Sequence, residues 1–188
     1  MRVVLIDNYD SFTHNVVYLL RDIGIEVIIF RNNCSLETLK KQAFYALIIA
    51  PGPSHPLQSG ICLEAIRYFA PYKKILGICL GHQCIAHVFG GEVTSMQTPQ
   101  HGKVASVLFN KSFENHPLFK DIEQPLQVAC YHSLHVSKLG NCKALAYSED
   151  GVVMVLKAQN YKTYGIQFHP ESILQHSGKK LLQNFFTL

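Results

Sequence analysis

The stretch Lys74–Gln83 constrains the fold most strongly, because it joins a buried strand to a helix through a tight turn. Its apolar residues Ile75, Leu76 and Ile78 are typical of a strand buried on both faces of a parallel sheet. The strand ends at Cys79, which has one glycine two residues before it and another two residues after it. This G-x-C-x-G pattern has the properties of a nucleophile elbow, in which small neighbours allow a sharp turn that presents the nucleophile at the carboxyl edge of the sheet.

The pattern around this stretch predicts an α/β fold in one domain spanning residues 1–188. Short apolar strands alternate with helical segments up to residue 89, which indicates a flavodoxin-like open sheet, mostly parallel in this half, with helices on both faces. Helices are expected at Gln83–Phe89 and, to close the chain, at Gly178–Phe186. The C-terminal half has no long helix between its strands, so mixed or antiparallel strands should extend the sheet. These strands are predicted at Val104–Phe109, Leu126–Cys130, Ala144–Tyr147, Val152–Lys157 and Tyr164–Phe168.

The composition excludes several classes of protein. Of the 188 residues, 48% are hydrophobic and 16% are charged, which is typical of a globular domain. The net charge is +4 and basic residues occur in runs no longer than pairs, so we expect no nucleic-acid partner. No apolar run approaches the ~18 residues of a membrane-spanning helix, and Met1 leads directly into a strand pattern without a signal peptide. We therefore expect a cytoplasmic protein that does not bind membranes.

The cysteines and histidines do not form a metal-binding pattern. The six cysteines contain no C-x-x-C pair, so free thiols are expected. Among the ten histidines, His82 and His87 are five residues apart and do not share a helix face, and no H-E-x-x-H motif is present. We expect no metal site. The first strand-to-helix turn also lacks G-x-G-x-x-G, which argues against a dinucleotide site there.

A second motif, Gln167–Ser172, supplies the groups that could activate Cys79. It follows another apolar strand and contains His169 and Glu171, two residues apart. In an extended chain such residues project from the same face, so Glu171 could hold one ring nitrogen of His169 while the other faces a thiol. A nucleophile, a base and a group that orients the base are the three parts of an activated nucleophile. A buried, inert cysteine is the simpler interpretation of Cys79 alone.

Together these motifs resemble those of class I (triad-type) glutamine amidotransferases. The resemblance runs in order from about Val3 to Phe185, and it is closest to the glutamine-hydrolysing subunits of anthranilate synthase and of para-aminobenzoate (aminodeoxychorismate) synthase. Besides the two motifs already described, it rests on Leu5–Thr13, Pro51-Gly52-Pro53, His101-Gly102-Lys103 and Tyr131-His132-Ser133-Leu134.

The resemblance implies roles for individual residues. Cys79, His169 and Glu171 would form the catalytic triad, and the backbone N–H groups of Gly52 and Leu80 would form the oxyanion hole. The implied glutamine pocket consists of Gly52, Pro53, Ser54, Gln83, Ser133 and Leu134. Relatives usually have glycine where this chain has Ser54, so serine is strained if that backbone requires a positive φ.

The resemblance also implies a reaction and a partner. The chain would hydrolyse L-glutamine to glutamate and ammonia without a cofactor and pass the ammonia to a separate synthase subunit that binds chorismate. The loop His101-Gly102-Lys103 would face that subunit. The sequence does not distinguish anthranilate from aminodeoxychorismate as the final product.

Two other functions are compatible with the fold. Another thiol hydrolase, such as a γ-glutamyl peptidase, would retain Cys79 and His169 but act without a synthase. A binding module that has lost its chemistry would retain the fold alone, although the complete Cys-His-Glu set argues against it.

Overall fold

The structure is a computed structural model that describes residues 1–172 and 177–188, with His101 described by its backbone alone. Its nine strands form a single sheet in the order β2-β1-β3-β4-β9-β8-β7-β5-β6. The strands are β1 (Arg2–Asp7), β2 (Glu26–Arg31), β3 (Ala46–Ile49), β4 (Lys74–Ile78), β5 (Glu92–Phe109), β6 (Leu126–Lys138), β7 (Cys142–Ser148), β8 (Val153–Ala158) and β9 (Thr163–Ile166).

The helices lie between these strands and at the C-terminus. The α-helices are α1 (Thr13–Asp22), α2 (Leu36–Lys40), α3 (Cys62–Phe69), α4 (Leu80–Val88) and α5 (Gly178–Thr187). Short 3-10 helices occur at Pro56–Gln58, Lys111–Phe113 and Pro117–Phe119. Within the described residues, no helix combines the length and the apolar character that crossing a membrane requires.

The sheet is mixed, and this confirms the predicted fold class. Strands β2, β1, β3, β4 and β9 are parallel, whereas β8, β7, β5 and β6 extend the sheet through antiparallel pairs. Because parallel strands end at the same edge, the loops after β1, β3, β4 and β9 meet at one edge of the sheet. This edge contains both sequence motifs.

Two hydrophobic clusters cover the two faces of the sheet. Alternate residues of β1 belong to different clusters, Val3 and Leu5 to one and Val4 and Ile6 to the other, because side chains along a strand alternate between faces. Helices α1 and α5 contribute to the first cluster, and α2, α3 and α4 to the second. The middle positions of β1 and the whole of β3 are therefore apolar on both faces, and the motifs follow buried strands.

Three predicted boundaries differ from the structure by three residues or more, and others by one or two. Helix α4 begins at Leu80, not at Gln83, so the turn into it is a single residue long. Strand β5 begins at Glu92 instead of Val104, and β6 continues to Lys138 instead of ending at Cys130. The register of the β5–β6 pair shifts at three places. These bulges interrupt the alternating pattern from which strands are recognised, so the sequence does not reveal the length of the pair.

The segment His101-Gly102-Lys103 lies within β5 and not in a surface loop as predicted. A register shift separates His101 from Lys103, and Gly102 has a φ of 65°. Glycine adopts this left-handed conformation without the steric cost of a Cβ, so the strand can bulge there and continue. The turn-like composition of the segment therefore marks a bulge.

Candidate active site

Cys79 forms a one-residue turn between β4 and α4. Its backbone has a φ of 52° and a ψ of −102°, a conformation that non-glycine residues rarely adopt. A Cβ on Gly77 would lie 2.3 Å from the carbonyl of Gly81, and a Cβ on Gly81 would lie 2.4 Å from the carbonyl oxygen of Ile49. Both glycines are therefore required for the close approach of strand and helix. The turn holds Cys79 at the carboxyl edge of the sheet, with the N-terminus of α4 directly after it.

His169 and Glu171 follow β9 and lie at the same edge. Nδ1 of His169 is 2.6 Å from Oε1 of Glu171, and both side chains are buried. Rings from two other elements pack against the imidazole: Phe12 and Tyr131 lie edge-on at centroid distances of 5.4 Å and 5.3 Å. The ring of His169 is thus held by one hydrogen bond and two aromatic contacts.

The charged form of His169 is favoured by its neighbours. Burial by itself lowers the pKa of the imidazole, but interactions with the Cys79 sulfur and the Glu171 carboxylate outweigh burial and raise the pKa to about 10. Because Glu171 occupies Nδ1, the interaction with Cys79 involves the Nε2 side of the ring. Nε2 has no hydrogen bond of regular geometry to the described residues. Catalytic hydrogen bonds of this kind often tighten only when the substrate binds.

The two residues predicted to form the oxyanion hole, Gly52 and Leu80, lie close to Cys79: Gly52 lines the same side of the site as Cys79, and Leu80 follows it in the chain. Leu80 is the first residue of α4, so its N–H has no acceptor within the helix. Gly52 packs against Leu80, because a Cβ on Gly52 would lie 2.7 Å from Cδ2 of Leu80 and 2.5 Å from Cβ of Asn8. Asn8 also donates its side-chain N–H to the carbonyl of Ala50 at 2.9 Å. Asn8 therefore fixes the start of the loop that presents Gly52.

A cavity of about 160 Å³ opens over Cys79. It is formed by the loop after β3, the elbow, helix α4 and the middle of β6. Its lining residues are Gly52, Pro53, Ser54, Cys79, Gln83, Tyr131, His132, Ser133 and Leu134. The structure thus brings every predicted glutamine-pocket residue to one cavity together with the predicted nucleophile, and adds Tyr131 and His132. The binding role of these residues stays a prediction.

A second cavity, of about 240 Å³, shares the lining residue His132 with the first but is lined by a different thiol, Cys130. Burial raises the pKa of Cys130 to about 12, so this thiol stays protonated and is a poor nucleophile at neutral pH. We therefore assign the chemistry to the smaller cavity, which has Cys79 and, beside it, His169. All six cysteines lie in the described ranges, and each is a free thiol.

Ser54 has a φ of 74°, so the loop requires the left-handed conformation that glycine adopts more easily. The side chain is exposed. The predicted strain is present, and the loop nevertheless directs Gly52, Pro53 and Ser54 to the cavity.

Two glutamine side chains connect the elbow to β6. Nε2 of Gln83 donates to the carbonyl of Leu134 and to Oε1 of Gln167, at 3.1 Å in both cases. Nε2 of Gln167 in turn donates to the sulfur of Cys79 at 3.7 Å. Gln167, Phe12 and Tyr131 contact the predicted triad residues, although their sequence positions alone predicted no role for them. The two-residue spacing of Gln167 and His169 could have pointed to Gln167, but the extended chain predicted for this stretch is absent: β9 ends at Ile166, and Pro170 and Glu171 lie in a turn.

The segment His101-Gly102-Lys103, which is predicted to meet a partner, lies near this cavity because its backbone pairs with β6. His101 pairs with Tyr131 and Lys103 with Cys130 in the β5–β6 ladder, so the segment flanks one wall of the site. Its role in an interface stays a prediction. Within residues 1–172 and 177–188, no group of three or more His, Cys, Asp or Glu side chains is arranged to hold a metal ion.

Comparison with known proteins gives a consistent result over nearly the whole chain. The family described as glutamine amidotransferase class-I matches residues 4–188. The chain is 41% identical to anthranilate synthase component 2 of Cyanophora paradoxa, with 97% of each chain covered. It is 38% identical to aminodeoxychorismate/anthranilate synthase component 2 of Bacillus subtilis, with 97% of this chain and 94% of the relative covered.

Solved structures share the fold. A crystal structure of a glutamine amidotransferase from Thermotoga maritima superposes with a TM-score of 0.77 over 99% of this chain and 96% of that chain, at 16% identity. A crystal structure of a candidate GMP synthase protein from Thermoplasma acidophilum superposes with a TM-score of 0.85 over 100% of this chain and 92% of that chain, at 24% identity. At these identities the superpositions support the fold alone.

Proposed function

This chain belongs to the class-I glutamine amidotransferase family, and on that premise we propose that it is the component 2 subunit of a chorismate-using synthase. In this role it hydrolyses L-glutamine to glutamate and ammonia and delivers the ammonia to a synthase component 1. Relatives at 41% and 38% identity carry component 2 names that cover anthranilate synthase, aminodeoxychorismate synthase or both. The partner is accordingly a subunit that binds chorismate.

The first half of the proposed reaction forms a thioester. Cys79 loses its proton to His169, and the thiolate attacks the side-chain amide carbon of glutamine. The N–H groups of Gly52 and Leu80 hold the oxyanion, and each such donor commonly lowers the barrier by ~3 kcal/mol. The carbon–nitrogen bond then breaks as His169 gives its proton to the departing ammonia. The raised pKa of His169, about 10, means that the ring carries the proton that this step consumes.

The second half releases glutamate. His169, now neutral, takes a proton from water, and the resulting hydroxide attacks the γ-glutamyl thioester. The carbon–sulfur bond breaks, which regenerates the thiolate beside an imidazolium ion. Glu171 holds Nδ1 of His169 throughout, so it fixes the tautomer and stabilises the charged ring. No step requires a cofactor in this chain.

Ammonia is the reason to expect a partner. Free ammonia is mostly protonated at neutral pH, so it is a poor nucleophile once it reaches the solvent. A protein that releases it near an acceptor enzyme avoids this loss. The segment His101-Gly102-Lys103 flanks the cavity through its pairing with β6, which supports our proposal that this side of the molecule meets component 1.

One observation carries the assignment: Cys79 occupies a strained one-residue turn at a cavity, next to a buried His169–Glu171 pair. Strained backbone persists where the surrounding structure enforces it, and it is concentrated at functional sites. An inert core cysteine would not require such a turn. Cys84, five residues later on α4, illustrates the inert case, because burial raises the pKa of its thiol to about 12.

The test compares Cys79→Ala with Cys84→Ala as a matched control. We expect Cys79→Ala to reduce glutaminase activity by more than about 10³-fold, because the nucleophile is removed. Cys84→Ala should retain most of the activity. An electrophilic glutamine analogue should label Cys79 and leave Cys84 unmodified. Wild-type turnover in Cys79→Ala would refute the proposal.

A second experiment separates the synthase component from the two other functions. Glutamine hydrolysis is measured with and without component 1 and chorismate, and the aromatic product is identified. Stimulation by component 1, with anthranilate or aminodeoxychorismate as the product, supports the proposal. Full activity on γ-glutamyl peptides without a partner would favour a peptidase, and absence of both labelling and turnover would favour a binding module.

We propose a cytoplasmic location, which fractionation of the native cell would test.

A further inference from the structure

Gln167 is a buried polar residue that the proposed mechanism does not use. It is 0% exposed and follows β9, two residues before His169. Its Nε2 lies 3.7 Å from the sulfur of Cys79, and its Oε1 accepts a hydrogen bond from Gln83. Both polar atoms of its amide are therefore engaged, although 88 residues separate it from Cys79 in sequence.

The hydrogen bond to Leu134 determines which atom is the donor in each of the other hydrogen bonds. The backbone carbonyl of Leu134 can only accept, so the side-chain nitrogen of Gln83 must face it. The same nitrogen also faces Gln167, which must therefore present its oxygen to Gln83. The amide nitrogen of Gln167 is then the atom that faces Cys79. Reversing either amide would place a nitrogen against a nitrogen or an oxygen against a carbonyl oxygen.

We propose that Gln167 is a positioning residue that donates an N–H to the Cys79 sulfur and stabilises its thiolate form. The inference rests on the proposed function, because it assigns a new residue to the same reaction. A hydrogen bond to a charged acceptor is roughly twice as strong as one between neutral groups, and a buried site strengthens it further. The N–H therefore favours the thiolate over the thiol, and it favours the thiolate over the thioester that forms later.

The same hydrogen bonds connect the nucleophile to the substrate pocket. Leu134 is on β6 and lines the cavity, as does Gln83. A displacement of Leu134 would change the position of Gln83 and, through it, the amide of Gln167. The order Leu134, Gln83, Gln167, Cys79 thus couples the strand that lines the pocket to the reactive sulfur.

The test measures the pH dependence of Cys79 alkylation by iodoacetamide in the protein without substrate, with the modified peptide identified by mass spectrometry. In Gln167→Met, which removes both polar atoms at similar size, the midpoint of the rate profile should move up by at least half a pH unit. Alkylation at pH 7 should slow at least threefold. Gln167→Glu, which replaces the donor with an acceptor, should shift the midpoint at least as far. The exposed Gln127→Glu is the matched control and should leave the profile unchanged.

Catalysis supplies a second readout. In Gln167→Met, kcat for glutamine hydrolysis should fall at least fivefold while KM changes by a smaller factor, because the residue contacts the nucleophile directly and the cavity only through Gln83. If Gln167→Met does not fold, Gln83→Met decides, since it removes the group that orients Gln167 and should raise the same midpoint. An unchanged midpoint in a folded variant overturns the inference. Absence of glutaminase activity in the wild type refutes the proposed function instead, since alkylation requires no turnover.

Discussion

Cys79 and Ser54 both have a positive φ at the active-site edge, 52° and 74°, yet the two residues differ in what the strain achieves. At Cys79 the flanking strand and helix enforce the turn, and the result is a sulfur atom that is presented to the cavity. Ser54 lies in an exposed loop, and its side chain forms no hydrogen bond with the part of the chain that the structure describes. Strain at Ser54 thus serves the path of the backbone and not the side chain.

Replacing Ser54 with glycine should stabilise the protein. Relief of the left-handed conformation is worth about 1–2 kcal/mol, and the greater freedom of glycine in the unfolded chain costs about 0.4–1 kcal/mol. We expect Ser54→Gly to raise the free energy of unfolding by about 0.5–1 kcal/mol, as measured by urea denaturation. Glutaminase activity should persist, because the backbone keeps its course.

Ser54→Ala is the control for this prediction. It removes the hydroxyl but retains a Cβ, so the strain remains and the free energy of unfolding should stay within about 0.5 kcal/mol of the wild type. Equal stabilisation by alanine and glycine would show that the hydroxyl, and not the backbone, is unfavourable at this position.

At the scale of elements, the contact between β4 and α4 determines the shape of the elbow. Gly77→Ala should open it, since the new Cβ would lie 2.3 Å from the backbone of Gly81, which cannot rotate away as a side chain can. We expect destabilisation of about 3 kcal/mol and a loss of glutaminase activity of at least about 10²-fold, because small displacements of a nucleophile are costly. Urea denaturation and steady-state kinetics measure the two effects.

Gly151 offers a matched control for this substitution. It has a φ of 81°, and a Cβ at this position would have no described heavy atom within 4 Å beyond its chain neighbours, so Gly151→Ala introduces backbone strain without a collision. The expected cost is about 1–2 kcal/mol, with activity retained. If Gly151→Ala and Gly77→Ala reduced activity equally, loss of stability alone would explain both.

The elements that the sequence predicts well are those with an uninterrupted apolar pattern. Strands β1, β3 and β4 are buried on both faces, and their runs end at recognisable turns. The β5–β6 pair was underestimated in length because bulges break its alternation, and Gly102 suggested a loop where the strand only bulges. Local pattern thus predicts regular strands and fails where the backbone departs from regular pairing.

At the scale of the whole molecule, the family resemblance was confirmed, and the structure brings its predicted site residues to one edge. The contacts between distant segments could not be predicted. Phe12 and Tyr131 meet at His169 only after α1 and β6 have packed against the end of β9. The spacing of Gln167 and His169 could be read from the sequence, but the turn that contains Glu171 and the hydrogen bond of Gln167 to Cys79 depend on tertiary structure.

The free energy of unfolding should depend on pH, because buried histidines are neutral in the folded protein. Burial lowers the pKa of His82 to about 3 and that of His132 to about 4. In the unfolded chain these groups bind protons near pH 6.5, so the unfolded state gains protons as the pH falls below that value and the folded state does not. Stability should therefore decrease from about pH 6.5 toward pH 3–4. His169 has the opposite sign, since its raised pKa contributes stability that is lost between about pH 6.5 and 10.

His82→Gln should remove a defined part of this acid sensitivity. At pH 5 a neutral buried His82 costs about 2 kcal/mol, which is the free energy of about 1.5 pKa units. We expect the loss of unfolding free energy between pH 7 and pH 5 to be about 2 kcal/mol smaller in His82→Gln than in the wild type, as measured by urea denaturation at both pH values. Any pH-independent cost of the substitution cancels in this difference. The exposed His14→Gln is the control and should reproduce the wild-type difference. If His82→Gln also reproduced it, His82 would have to be protonated in the folded protein at pH 5, contrary to the effect of its burial on the pKa.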